Sequence, residues 1–186
     1  MKTSIIGIDG GFSSVGWAVL ELTATTETET LVNMGVIRTA KSDKKLNVLS
    51  SSDSFRRCQE IAVVLGKVLD LYSPRVVAIE SLSLPRNAGV SAKIGMGYGV
   101  LAALLSARSL PMAQVSPQGV KKTLAGSQSA SKACVQEALA KRFGSPFQKR
   151  LEEFNKTVRE HPADALAVAV AALTSEVVKL ARSMAA

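Results

Sequence analysis

The sequence predicts an α/β fold, and three observations carry that reading. Two apolar runs rich in Ile and Val, Ser4-Ile-Ile-Gly-Ile-Asp9 and Val76-Val-Ala-Ile-Glu80, each end in an acidic residue, and such runs suit buried central strands. Around them, apolar residues recur at intervals of three and four, as on helices packed against a sheet. The resulting order is three strands, helix, strand, helix, strand, helices.

Ser4 to Asp9, Gly16 to Leu22 and Leu31 to Arg38 read as successive strands of an antiparallel meander, joined by the Gly10-Gly-Phe-Ser-Ser turn and a Thr/Glu-rich connection. Ala40 to Ser54 is polar, with Lys41, Lys44 and Lys45 and a run of serines, and reads as an exposed loop. From Ser54, the positions Phe55, Cys58, Ile61, Ala62, Leu65, Val68, Leu69 and Tyr72 trace an amphipathic helix that ends before Pro74. A strand from Arg75 to Glu80 follows, then a loop through Leu84-Pro-Arg-Asn-Ala-Gly-Val.

Ser91 to Arg108 reads as a helix whose Gly95, Gly97 and Gly99 lower its propensity but allow a close helix contact, within the fold or between subunits. Pro111 to Val115 is a short strand. Pro117 opens a helix carrying Lys121 and Lys122, and a second helix, with Lys132 near its start, is expected to end at Gly144. A lysine at a helix start opposes the macrodipole, so Lys132 implies an anion nearby or else is merely solvated. Ser145 to Glu160 is charged and weakly patterned. Pro162 fits a first helical position, which makes His161 the expected N-cap, and places His161 and Asp164 three apart on one face of a long helix to Ala181.

Composition narrows the function. With 186 residues and 47% apolar content the chain fits a single domain, residues 1–186, with a sizeable core. Its formal charge of +8, from 23 Lys and Arg against 15 Asp and Glu, favours a polyanionic partner such as nucleic acid. Cys58 and Cys134 lack metal-type spacing and read as reduced, buried packing residues rather than a zinc site or disulfide. The N-terminus runs directly into a strand, and the longest apolar stretch, Ala165 to Leu173, falls well short of the roughly 18 residues of a membrane span. A soluble, intracellular protein without membrane contact is expected.

A carboxylate in an apolar interior is costly unless paired, hydrogen-bonded or bound to a cation. Two acidic strand ends, with Asp164 on a later helix, therefore suggest one shared site suited to metal chemistry.

These residues resemble the RuvC-type Holliday-junction resolvases of the ribonuclease H-like and retroviral-integrase superfamily, across nearly the whole chain. The anchors are Ile6-Gly-Ile-Asp9-Gly-Gly with Gly16, Ala78-Ile-Glu80, Val120-Lys-Lys-Thr-Leu-Ala-Gly126 leading to Ala130-Ser-Lys132, and His161-Pro-Ala-Asp164-Ala-Leu-Ala. The resemblance implies a ribonuclease H-like fold, a central five-stranded mixed sheet flanked by helices. It further implies that Asp9, Glu80, His161 and Asp164 are catalytic and bind two Mg²⁺ ions, with Mn²⁺ as a substitute, for phosphodiester hydrolysis that leaves a 5′ phosphate.

By the same resemblance Lys121 and Lys132, with Lys122 adjacent, meet DNA phosphates. Leu84 and Arg86 stand where the family opens the junction crossover, often with an aromatic, so Leu84 would be an apolar wedge and Arg86 a backbone contact. Gly10-Gly11 replaces a common Pro-Gly, and the stretch from Ser145 to Glu160 is longer than usual. Family members are homodimers, which matches the twofold symmetry of a four-way junction.

Three alternatives compete with a junction-resolving endonuclease. One is a less selective nuclease of forks, flaps and other branched DNA, and another is a catalytically inactive junction-binding module. The third rests on Gly7-Ile-Asp-Gly-Gly-Phe-Ser-Ser14, which also resembles the phosphate-binding turn of actin-like sugar kinases, but those use two such domains and no nucleotide cofactor is expected here.

Overall fold

The computed structural model describes residues 2–23, 28–82 and 85–184. Five strands, β1 (Lys2–Asp9), β2 (Ser14–Thr23), β3 (Glu29–Arg38), β4 (Val76–Glu80) and β5 (Met112–Val115), form one sheet in the order β3-β2-β1-β4-β5. The first three make the expected antiparallel meander, while β4 joins β1 and β5 joins β4 in parallel, so the sheet is mixed. This is the ribonuclease H-like fold that the resemblance implied.

Helices cover both faces. On one lie α1 (Ser50–Tyr72) and α2 (Ala88–Ser106), over a core that includes Ile6, Ile8, Val19, Ile61, Leu65, Val77 and Ile79. On the other lie α3 (Pro117–Ala125), α4 (Lys132–Glu152), α5 (Glu160–Ala171) and α6 (Glu176–Ser183), over Ile5, Ala18, Leu20, Val76, Ala78, Leu139, Phe147 and Leu166. Successive strand residues alternate between faces. Because Ile5 on β1 and Ala78 on β4 face α5, the same alternation turns Asp9 and Glu80 to that side.

Two glycines let α5 lie directly on the sheet. A Cβ on Gly7 would stand 2.0 Å from the Ala165 carbonyl oxygen, and one on Gly16 would stand 2.1 Å from that of His161. No side chain fits in either space.

Several element boundaries differ from expectation. α1 begins at Ser50, and a short 3₁₀ turn covers Lys44–Leu46, so part of the expected loop is helical. Phe55, assigned to the apolar stripe of α1, is 63% exposed. The helix from Lys132 ends at Gly144 as expected, since that residue leaves helical geometry at φ 58° and ψ −141°, but a second helical segment with Pro146 near its start then runs on to Glu152. The long final helix is broken, because a 3₁₀ turn (Ala172–Thr174) follows α5, and Ser175 then caps α6 by accepting from the Val178 amide.

Cys58 is buried as expected, but Cys134 is exposed in the first turn of α4, where its side chain faces solvent. Within α2, a Cβ on Gly97 would stand 3.7 Å from the Gly11 carbonyl, whereas Gly95 and Gly99 face open space. α2 is also long and apolar enough, by length and composition, to cross a membrane. Ser91, Lys93 and the glycines interrupt its apolar run, so no unbroken stretch marks it in the sequence.

Candidate active site at the ends of β1 and β4

Asp9 and Glu80 end adjacent parallel strands, one step beyond the paired residues Ile8 and Ile79. Asp9 also pairs across the antiparallel ladder with Gly16, the residue against which the His161 backbone rests. That seat brings the first turn of α5 onto the end of β1, where His161 Nδ1 lies 2.7 Å from Asp9 Oδ2. His161 is therefore not the N-cap: α5 starts at Glu160, and Arg159 holds the cap position without a side-chain bond. The imidazole has left the capping role for a partner on the sheet.

One turn further along, Asp164 projects from the same helix face. Lys132 Nζ bridges Asp164 Oδ2 at 2.7 Å and Glu160 Oε2 at 2.9 Å. These two acids are the anions that a lysine at the first residue of α4 requires. Lys121 on α3 joins Lys132 and Asp164 along a cleft of about 290 Å³ that is also lined by Glu80, Val120, Val135 and Ala167.

The protonation equilibria reflect a crowded acidic site. Burial pushes the Glu80 carboxyl up, and the charges of Asp9 and Asp164 push it further, against Lys132 and Lys121. Asp164 is likewise raised, with burial outweighing its bond to Lys132. His161 is raised by its bond to Asp9, which prevails over burial. Burial alone would lower Lys132, but its bonds to Asp164 and Glu160 prevail and raise it. Like charges gathered in a half-buried cleft are the electrostatic signature of a cation site.

The donor set fits hard divalent cations: three carboxylates with one imidazole. Among the described residues, no three His, Cys, Asp or Glu side chains stand close enough together to enclose one ion. His161 and Lys132 instead hold Asp9 and Asp164.

Of the other expected contacts, Lys122 is exposed, and the residues lining the cleft do not include it. Arg86 is exposed between β4 and α2, and Leu84 lies outside the described residues. Two neighbours were not foreseen. Tyr98 on α2 donates its hydroxyl to the Glu80 carbonyl, beside Gly10, and Glu160 shares Lys132. Tyr98 left no signal among its glycines, while Glu160 was announced only indirectly by the misplaced charge of Lys132.

The mixed sheet, with acids at the ends of β1 and β4 and on the helix crossing them, defines a member of the ribonuclease H-like superfamily. The family model for the crossover junction endodeoxyribonuclease RuvC matches residues 5–172. The chain belongs to that family. It is 32% identical over 166 residues to the RuvC of Thermosipho melanesiensis, covering 89% of this chain and 93% of the relative. The fold is shared with Thermus thermophilus RuvC (TM-score 0.71, 24% identity, 91% of this chain and 92% of that one). It is shared too with T. thermophilus RuvC in complex with a Holliday junction substrate (TM-score 0.69, 22% identity, 91% and 92%).

Proposed function

We propose that this protein resolves four-way DNA junctions by divalent-metal-dependent hydrolysis of phosphodiester bonds. The observation that carries the reading is the convergence of Asp9, Glu80, His161 and Asp164 on one side of the sheet end, with Lys121 and Lys132 beside them. Membership of the RuvC family supports it.

Asp9, Glu80, His161 and Asp164 would hold the metal, taken here as two Mg²⁺ ions with Mn²⁺ able to substitute. Bound there, the metal would supply Lewis-acid chemistry for phosphodiester hydrolysis and would make a bound water more acidic. Lys121 and Lys132 bring positive charge to the cleft and hold the phosphodiester through its oxygens. Lys132 must leave Asp164 to do so, and Glu160 gives it a second anchor within reach. The side chains of Val120, Val135 and Ala167 form an apolar wall that limits water near the reacting group. Cleavage leaves a 5′ phosphate.

A four-way junction is twofold symmetric, so paired incisions need two copies of the site. The protein acts as a homodimer in this reading. The apolar face of α2 left uncovered around Gly95, Met96 and Gly99 is a surface of the right chemistry for a second copy. Its place of action is DNA within the cell.

The test is cleavage of a synthetic four-way junction, a Y-fork and a linear duplex, each in Mg²⁺ and in EDTA, by wild type and Asp9→Asn. Symmetric metal-dependent nicking of the junction, lost in the variant, is expected. Equal or better cutting of forks would make the protein a general branched-DNA nuclease, and binding without cutting would make it a junction-binding module.

A further inference from the structure

A groove of about 500 Å³ lies on the opposite face of the sheet from α5, between the β3–α1 connection and α2. Its lining includes four cationic side chains, Lys41, Lys44, Lys93 and Arg57. Two carboxylates also line it, and both are already engaged. Asp43 accepts from the Lys45 amide, while Asp53 accepts from the amide and hydroxyl of Ser42 and from Arg56. The groove therefore keeps a surplus of positive charge.

Arg57 is the unusual member. It is only 3% exposed, and its guanidinium donates to Thr39 Oγ1 at 2.9 Å, Ser13 Oγ at 2.8 Å and the Phe12 carbonyl at 3.4 Å. Its Cζ sits 4.4 Å from the centre of the Phe12 ring. All of these partners are neutral, and among the described residues no carboxylate lies within ion-pair distance of Arg57. A buried cation without a counter-ion is costly, and an anion in the groove would relieve that cost. α1 adds to the field: its N-cap, Leu49, makes no side-chain bond, and Ser50 and Ser54 of its first turns line the groove.

The position indicates which anion. Phe12 and Ser13 belong to the turn that leaves Asp9, so Arg57 ties the groove to the strand that carries the cleft. α2 touches the same turn at Gly11 through Gly97, one helical turn beyond Lys93. The groove thus sits beside the turn that leaves Asp9, the acid at the end of β1.

We propose that this groove is a second DNA seat, in which Lys41, Lys44, Lys93 and the charge of Arg57 take a backbone phosphate of a duplex arm outside the cleaved strand. The proposal rests on the junction-resolving reading. Such a contact positions the arm without reading sequence.

The test compares wild type with Lys41→Ala/Lys44→Ala/Lys93→Ala, and with Lys93→Glu alone, in junction binding across a salt series with Ca²⁺ in place of Mg²⁺. The three lysines are surface groups, so melting temperature should hold, and Arg57 is left intact. Expected is weaker binding to every junction sequence and a slope of log K against log salt smaller by about one or more. Unchanged affinity and slope in variants of a wild type that does bind and cut junctions would overturn the seat alone. If wild type neither binds nor cuts junctions, the parent reading fails and the seat with it. Stabilisation by inorganic phosphate that is lost in the triple variant, with junction binding untouched, would assign the groove to a small phosphate ligand and also overturn the proposal.

Discussion

His161 Nδ1 and Asp9 Oδ2 meet at 2.7 Å across 152 residues of chain, joining the first turn of α5 to the end of β1. The bond fixes the side chain of an acid whose neighbours include Glu80 and Asp164, and it holds the helix in the register that presents Asp164 to the cleft.

Stability without divalent cations should fall as pH rises. Folding raises the proton affinity of His161, so its contribution is complete below about pH 6.5 and is lost as pH climbs through the raised value. Glu80 and Asp164 are raised as well, and each adds a cost on losing its proton within the folded protein. Thermal melts in EDTA should show this decline from mildly acidic to alkaline pH. Mg²⁺ should stabilise more strongly at the alkaline end, because it competes with fewer protons there. His161→Asn should flatten the decline by roughly 1 kcal/mol, since the bond is partly exposed to solvent.

Lys132 and Glu160 should have opposite effects on metal affinity. Glu160→Gln leaves Lys132 to Asp164 alone and should weaken Mn²⁺ binding by roughly two- to fivefold, the range of an exposed ion pair. Lys132→Ala frees Asp164 and should tighten binding while lowering junction cleavage. Calorimetric titration of Mn²⁺ separates the two, and a shift of the same sign in both variants would contradict the shared-lysine geometry.

Gly16→Ala should damage fold and site together. The added Cβ would lie 2.1 Å from the His161 carbonyl oxygen, a contact that only a displacement of α5 can relieve. A loss of about 2 kcal/mol or more in stability is expected, measured by denaturant unfolding, with weakened metal binding at temperatures where the variant stays folded. Gly95→Ala, facing open space, should leave monomer stability nearly unchanged or improve it.

Tyr98→Phe removes the hydroxyl that holds the Glu80 carbonyl. It should cost about 1 kcal/mol in stability and reduce cleavage more at low Mg²⁺ than at saturation, because the loss acts on the position of Glu80 rather than on the reacting phosphate. A metal titration of cleavage rate distinguishes the two.

The strands and the acids at their ends were legible because apolar runs and alternation are local properties. Asp9, Glu80 and Asp164 could be read as one site because a buried carboxylate demands an explanation. Lys132 also carried its own signal, a cation where a helix start disfavours one. What the sequence concealed depends on distant partners. His161 looked like a cap beside Pro162 until Asp9 supplied a better bond. Gly144 was legible as a helix end, and its positive φ bears that out, but the helical segment beyond it was not told apart from a loop. Tyr98 had no local pattern, since its role depends on β4, 18 residues earlier.

The groups that make up the site stand on supports of unequal firmness. Asp9 and Glu80 end adjoining strands in the interior of the sheet, where backbone amides open to exchange only with much of the domain. Lys132 and Glu160 are the first residues of α4 and α5, and helix ends fray. Hydrogen exchange should therefore be slow behind the first pair and fast around the second. Ligand binding would register there as protection gained at the helix starts, against a sheet already closed.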